Sequence, residues 1–188
     1  DVLVGRTALD IKTLKAGAVV GTSSQRRKAQ LLAARPDINI ADLRGNIDTR
    51  LRKLDEEKYD AICMAAAGMH RLNLTERITE YISIDVMVPA VGQGALAVQT
   101  RIDAGEIGEA LKTLDDKDTR AVITAERAVL AALGGGCSIP LGVLGTMDDD
   151  VLNLTGIICQ PDGNITVREQ VSGNNSPEKL GLELAKKL

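Results

Sequence analysis

Three short, mostly apolar runs stand out in the first third of the chain, at residues 17–22, 38–43 and 60–65. Each is bounded by polar or turn-forming residues, which is typical of strands that are covered on both faces. Strands of this kind occur in sheets whose connections cross the faces as helices. The three runs therefore predict buried strands in one parallel sheet.

The segments between these runs have helical spacing. We predict a helix from about Gln25 to Ala34, ended by Pro36, and a second helix whose inner stripe is Ile47, Leu51 and Leu54. The strand–helix–strand–helix–strand order predicts an α/β fold with a mostly parallel sheet and right-handed crossovers.

The pattern changes after residue 90. The run 91–98, which contains two glycines, predicts a strand at a return point between domains. Helical spacing follows at 104–114 and at 118–133. Three consecutive glycines at 134–136 predict the end of the second of these helices.

Strand signals dominate the last quarter of the chain. Three runs, at 141–147, 152–159 and 165–171, are separated by turn-forming residues. A final helix is predicted to begin after Ser176, with proline in its first turn. Consecutive strands followed by one helix predict a small α+β domain with three antiparallel strands plus a helix.

Charge is distributed unevenly along the 188 residues. The whole chain has a net charge of -3, whereas residues 17–77 have a net charge of +3, and a basic lobe predicts an anionic ligand. Mild overall acidity and the absence of tryptophan and phenylalanine argue against nucleic-acid binding. No apolar stretch approaches the roughly 20 residues of a membrane span.

The three cysteines are too few and too widely spaced for a disulfide scaffold, so reduced thiols in a cytoplasmic protein are expected. Cys63 and Cys159 lie in apolar runs and are predicted to be inert core residues. Cys137 follows three glycines, where a ligand can approach its sulfur, and spacing alone leaves its role open. His70, the single histidine, is predicted to lie at the surface or behind a site, which disfavours thiol-dependent acyl transfer and a histidine-rich metal site.

Residues 21–27 lie where a predicted strand ends and a helix begins. Free backbone N–H groups at such a point bind anions, and the hydroxyls of Thr22 and Ser24 add donors. Arg26 and Arg27 can bind carboxylates in a bidentate manner. The segment fits neither common nucleotide-binding pattern. The alternative is a capped helix with solvated arginines.

Arginines also follow the other two predicted strands. Arg44 and Arg50 come after the second strand, and Arg71 comes after the third. Taken singly, each segment is explained by a surface ion pair such as Asp48 with Arg52. The carboxyl ends of parallel strands share one edge, where α/β sheets bind ligands. The repetition therefore favours several guanidinium groups around a ligand with several carboxylates.

These motifs occur in the order of a known family. The chain resembles the hydroxymethylbilane synthase (porphobilinogen deaminase) family over nearly its whole length. The matching segments are Val20–Ser24, Arg26–Arg27, Leu43–Asn46, Thr49–Leu51, Lys53–Asp55, Tyr59–Ile62, Ala67–Gly68, Arg71–Leu72, Pro89–Ala95, Ala125–Arg127 and Gly135–Gly142.

The resemblance implies two periplasmic-binding-protein-like α/β lobes, followed by a small α+β domain. It implies a transferase of tetrapyrrole and heme biosynthesis that condenses four porphobilinogen molecules into hydroxymethylbilane with release of ammonia. The pyrrole chain would grow on a dipyrromethane cofactor held by a thioether to Cys137. The other residues implied to bind the cofactor are Thr22, Ser24, Arg26, Arg27, Arg44, Arg50, Ala65, Gly68, Arg71 and Gln93.

The same resemblance divides the chain into an α/β lobe at 1–93, a return segment and helix at 94–118, and a small domain at 119–188. The family's first lobe, with its catalytic Asp, is not among these residues, so this segment alone is expected to be inactive. A cytoplasmic monomer is implied, whose partners are porphobilinogen and linear pyrrole oligomers. The alternative is a non-enzymatic anion-binding lobe of solute-binding-protein type, which would use the arginines but not Cys137.

Overall fold

The strands form two separate sheets in the computed structural model of the chain, which describes residues 1–135 and 139–188. The strands are β1 Val2–Gly5, β2 Val19–Gly21, β3 Asn39–Ala41, β4 Ala61–Met64, β5 Glu80–Tyr81, β6 Leu141–Asp148, β7 Val151–Cys159 and β8 Thr166–Gly173. The α-helices are α1 Gln25–Ala34, α2 Ile47–Asp55, α3 Ala66–Arg71, α4 Glu106–Leu111, α5 Lys117–Ala132 and α6 Pro177–Lys187. Within the described ranges, no helix has both the length and the apolar composition needed to cross a bilayer.

The first sheet has the strand order β3-β2-β4-β1-β5. β2 is parallel to both β3 and β4, as the sequence predicts, because α1 and α2 return the chain to the same edge. β1 runs antiparallel to β4 and β5, a pairing that the hydrophobic pattern did not indicate. Since Val2 pairs with Met64, the start of β1 lies beside the carboxyl end of β4.

Both faces of the first sheet are covered. Leu3 and Cys63 pack in one core cluster with Leu31 of α1, whereas Val2 and Ile62 pack in a second cluster. Successive residues of a strand point to opposite faces, so every position of β1 and β4 is buried. This two-sided burial explains why the strands are apolar runs rather than alternating patterns.

The second sheet is antiparallel, with the order β6-β7-β8, and α5 and α6 pack against it. Val129, Leu154 and Leu184 belong to the core between them. The two helices approach closely, because a β-carbon at Gly181 would collide with the carbonyl oxygen of Ala125. This architecture confirms the predicted three antiparallel strands and final helix.

The two sheets meet along α1. A β-carbon at Gly163, in the turn between β7 and β8, would lie 2.6 Å from the carbonyl oxygen of Ala29. Ala29 also shares a small buried cluster with Val88, Ile157 and Cys159. Because α1 begins at the carboxyl end of β2, this contact fixes the orientation of the helix from its opposite side.

The predicted strand at 91–98 is wrong. Residues 91–94 form a turn, and residues 95–101 have no regular structure. Gly92 and Gly94 have φ values of +72° and +93°, which are far from extended backbone. A strand also needs an edge that satisfies its N–H and C=O groups, and none of the described strands pairs with this segment.

Candidate functional site

Hydrogen bonds tie together the loops at the carboxyl ends of β2 and β3. The backbone N–H of Thr22 donates to the carbonyl oxygen of Ala41, the last residue of β3, at 2.9 Å. The Ser23 hydroxyl donates to the carbonyl oxygen of Leu43 and accepts from its N–H, each at 3.0 Å. Ser24 caps α1, since its side chain accepts from the backbone N–H of Arg27. The start of α1 is therefore held in place for the side chains that follow.

Arg26 is buried in the first turn of α1, with 5% of its surface exposed. Its NH1 donates to Asp1 and to the carbonyl oxygen of Val88, both at 2.7 Å, and its NH2 donates to Gln93 at 3.2 Å. Its Nε is buried without a hydrogen-bond partner among the described residues. Burial, with a smaller contribution from Arg27, lowers the pKa of Arg26 to about 10. A charged donor left unpaired in this way is a place where a ligand oxygen would bind.

Asp1 belongs to the site, although sequence reasoning missed it. Its Oδ1 lies 2.9 Å from Nε and 2.8 Å from NH2 of Arg27, and it accepts from Gln93 Nε2 at 3.1 Å. Its Oδ2 accepts from Arg26, and the carboxylate is fully buried. No local pattern marks an aspartate that precedes a strand. The one feature of the sequence that pointed to such a residue was the surplus of arginines at this edge of the sheet, because buried arginines require a counter-charge.

Arg50, in α2, lies close enough to Arg27 to be affected by its charge. Burial, and then the charge of Arg27, lower the pKa of Arg50. The Nε of Arg50 donates to the carbonyl oxygen of Gly45 at 2.8 Å. Arg44 precedes Gly45 in the same loop and is exposed. Arg26 and Arg27 thus share Asp1, and Arg50 lies within range of the charge of Arg27. These three residues are called the arginine cluster below.

The arginines that follow the strands of the first sheet have fewer carboxylate partners than most other arginines in the chain. Arg35, for example, pairs with Asp37 at 2.7 Å, whereas Arg26 and Arg27 share the single carboxylate of Asp1. Among the described residues, no Asp or Glu oxygen lies within 4.0 Å of the side-chain nitrogens of Arg44, Arg50, Arg71 or Arg127. Positive charge therefore exceeds negative charge around this site, as an anionic ligand requires.

The third strand end carries the short helix α3. Ala65 directly follows β4, and a β-carbon at Gly68 would lie 2.6 Å from Cδ1 of Ile47, so glycine permits the close approach of α3 to α2. Arg71 is the last residue of α3 and is exposed. None of the described contacts connects Arg71 to Arg27, so its membership of the cluster stays a prediction.

A cavity of about 560 Å³ opens between the start of α1, the end of α5 and the segment that follows residue 88. Its walls include Ser24, Arg26, Arg127, Gly135 and Ile139. Arg127 is an addition to the residues expected from the sequence. Cys137 lies outside the described residues, so its attachment to a cofactor stays a prediction. The positions that flank it on either side, 135 and 139, both line this cavity.

Glu126 fixes the turn that carries Gln93. Its Oε2 accepts from the N–H of Gly92 at 2.6 Å, and its Oε1 accepts from the N–H of Gly145 at 2.8 Å. Glu126 is buried, and this burial raises the pKa of its carboxyl group. The turn is therefore tied to α5 and β6, while the side chain of Gln93 reaches Asp1 on the other side.

His70 is exposed, and its Nε2 lies 2.7 Å from the hydroxyl of Tyr81. It makes none of the described contacts with the arginine cluster. This confirms the prediction of a surface residue.

Two of the three cysteines are core residues, as predicted. Cys63 is 0% exposed and Cys159 is 6% exposed. Burial raises the pKa of both thiols, to about 11 for Cys159. The thiolate is the reactive form, so these two sulfurs are inert at neutral pH.

Thiol labelling tests this assignment. When adduct-free native chain is treated with a maleimide at pH 8, Cys137 is expected to react far faster than Cys63 or Cys159. A thiol with a pKa of about 11 is ionised in only about one molecule in a thousand at pH 8. Peptide mass spectrometry identifies the labelled site, and urea-unfolded chain, in which all three should react, is the control. Rapid labelling of either core cysteine in native chain would contradict the prediction.

Comparison with known proteins gives a consistent result. Residues 1–109 match the family model described as porphobilinogen deaminase, dipyromethane cofactor binding domain, and residues 121–188 match porphobilinogen deaminase, C-terminal domain. Proteins named porphobilinogen deaminase from Pelotomaculum thermopropionicum, Desulforudis audaxviator and Roseiflexus castenholzii are 48%, 50% and 51% identical over 100% of this chain. The matches cover 61%, 61% and 62% of those proteins, so the chain spans about three fifths of their length.

Proposed function

Because the chain belongs to the porphobilinogen deaminase family, we propose that it acts in the hydroxymethylbilane synthase reaction, which joins four porphobilinogen molecules and releases ammonia at each step. The observation that carries this proposal is the pair Arg26 and Arg27 on the one carboxylate of Asp1, with Arg50 near enough to Arg27 for their charges to interact. Each pyrrole unit carries an acetate and a propionate, so the growing chain accumulates carboxylates. Several guanidinium groups at one edge suit such a ligand.

The donor set also fits a dipyrromethane cofactor. The buried Nε of Arg26 has no partner among the described residues, and Arg26 lines the cavity whose walls include the positions flanking Cys137. Thr22, Ser24 and Gln93 add uncharged donors beside it. When bound, the dipyrromethane supplies the pyrrole end to which new units are joined. Cys137 is assigned to hold it through a thioether.

The remaining predicted residues are assigned to the growing pyrrole chain. Arg44 and Arg71 are exposed and have no carboxylate partner in the described parts of the chain, so their guanidinium groups can bind acetate and propionate groups. Ala65 and Gly68 have small side chains or none, which leaves space beside the end of β4 for pyrrole rings.

We further propose that residues 1–93 form a periplasmic-binding-protein-like lobe, that 94–118 pack on the family's first lobe, and that 119–188 form the small domain. Exposed apolar side chains support the proposal that 94–118 are covered by another part of the full-length protein. Leu96 is 84% exposed, and Ile107 and Leu114 are also largely exposed. Apolar groups in such number on one segment favour burial against another surface. A cytoplasmic monomer remains our expectation.

Turnover by the full-length protein tests the proposed function. With porphobilinogen as the sole substrate, it should release ammonia and form hydroxymethylbilane. The hydroxymethylbilane is detected through the porphyrin precursor to which it cyclises spontaneously. The 188 residues assayed alone are expected to show no turnover. Binding of porphobilinogen without consumption by the full-length protein would reject the enzyme and favour an anion-binding lobe of solute-binding-protein type.

A further inference from the structure

We propose that Asp1 is a positioning residue for ligand binding, which holds the guanidinium groups of Arg26 and Arg27 so that their remaining N–H groups face the ligand carboxylates. The inference rests on the proposed function, which supplies those carboxylates. Asp1 is not expected to touch the ligand, because it is an anion and both of its carboxylate oxygens already accept hydrogen bonds from Arg26, Arg27 and Gln93.

The antiparallel direction of β1 brings Asp1 to this position. The carbonyl oxygen of Asp1 accepts from the N–H of Ile82 at 3.1 Å, and the next residue, Val2, pairs with Met64. β1 therefore starts at the edge where β2, β3 and β4 end. A parallel strand in the same place would have put its first residue at the opposite edge of the sheet.

The contacts with Asp1 leave each arginine with N–H groups that the described part of the chain does not use. A guanidinium has five N–H groups, and Arg26 uses three, on Asp1, Val88 and Gln93. Arg27 donates from Nε to Asp1 at 2.9 Å and from NH1 to the carbonyl oxygen of Cys63 at 3.4 Å, and its NH2 lies 2.8 Å from Asp1 Oδ1 as an ion pair. At least two N–H groups of each guanidinium therefore have no partner among residues 1–135 and 139–188, and two is the number that bidentate binding of a carboxylate requires.

Asp1 also balances the charge of the pair without cancelling it. Arg26 and Arg27 repel one another, and Arg26 is nearly fully buried, where an unpaired charge is strongly unfavourable. One carboxylate between two guanidinium groups relieves the repulsion and leaves a net positive charge. That surplus attracts the ligand, while the fixed geometry determines where its oxygens bind.

Asp1→Asn in the full-length protein tests this role. Asparagine has nearly the same shape, but it is uncharged and offers one acceptor oxygen instead of two. The KM for porphobilinogen is expected to rise about ten- to a hundredfold, since small displacements of binding groups have effects of this size. The fraction of protein carrying a pyrrole adduct, measured by intact mass, is expected to fall.

Asp37→Asn is the matched control, because it removes the carboxylate partner of Arg35 at the other end of α1. Neither KM nor the adduct fraction should change in this variant. A purely structural role of Asp1 would lower the thermal midpoint of Asp1→Asn while leaving KM and adduct fraction as in the wild type, and that result would overturn the proposal. Tighter binding by Asp1→Asn would also overturn it, since Asp1 would then be a competitor of the ligand.

A double-variant cycle tests whether Asp1 acts through the arginines. In an Arg27→Gln background, Asp1→Asn should raise KM less than in the wild type, because part of its effect passes through Arg27. Equal effects in both backgrounds would overturn the proposal. If Asp1→Asn does not fold, Asp1→Glu keeps the charge and displaces the carboxylate, so a wild-type adduct fraction in that variant would overturn it. Absence of adduct and turnover in the wild type would instead reject the proposed function.

Discussion

The Cys137→Ser variant of the full-length protein is expected to carry no covalent pyrrole adduct and to lose turnover with it. A hydroxyl is a much weaker nucleophile than a thiolate, so serine cannot form the corresponding link to the cofactor. Intact mass reports the adduct, and release of ammonia from porphobilinogen reports turnover. The arginine cluster is untouched, so the thermal midpoint of the apo form should match that of the wild-type apo form.

Cys159→Ala is the control for this substitution, because Cys159 is buried in β7 and makes no predicted contact with the cofactor. That variant should retain the adduct mass. An adduct that persists in Cys137→Ser, or one that disappears in Cys159→Ala, would place the attachment at another residue.

Arg50→Gln is expected to weaken binding of porphobilinogen about ten- to a hundredfold, because a hydrogen bond to a charged group contributes about 1.5–3 kcal/mol. Arg50 makes no ion pair with the described residues and is only half-buried on α2, so the fold should be retained. A steady-state KM measurement on the full-length protein checks the prediction.

Arg52→Gln provides a matched control two residues further along α2. Arg52 is 70% exposed and pairs with Glu56 at 3.7 Å, and none of the described contacts joins it to Asp1, Arg26 or Arg27. Its replacement removes the same charge from the same helix and should leave KM within about twofold of the wild type, as expected for an exposed ion pair. Equal effects of the two substitutions would show that general charge, rather than contact with the ligand, explains the loss.

Local signals made much of the fold predictable from the sequence. Ser24 and Pro36 bound the helix at Gln25–Ala34, since a hydroxyl caps its first turn and proline cannot continue it. The strands of the second sheet were recognisable because turn-forming residues separate them. In each case the determinant lies within a few residues of the element that it defines.

Features that depend on distant parts of the chain were not predictable in this way. The direction of β1 is set by its pairing with β4, about 60 residues later, and Asp1 became visible as a site residue only through that pairing. The error at 91–98 has the same origin, because an apolar segment becomes a strand only where an edge is available to it.

The candidate site was predictable in part, because residues that follow the carboxyl ends of parallel strands lie at the same edge of the sheet. Arg26 and Arg27 meet on Asp1, and Arg50 lies within range of the charge of Arg27, whereas their binding of a ligand stays a prediction. Arg71 is separated from β4 by the whole of α3, so its position depends on the length of that helix and not on the end of the strand alone. Arg127 comes from α5, and its place in the cavity wall depends on how the two sheets pack.

A crystal structure of the full-length protein with its pyrrole group bound tests the central claim most directly. We predict that carboxylate oxygens of the pyrroles lie within about 2.7–3.2 Å of Arg26 Nε and of donors on Arg27 and Arg50, with Asp1 still between Arg26 and Arg27. Pyrrole carboxylates bound at another surface, with these three guanidinium groups facing solvent or other protein atoms, would contradict the account.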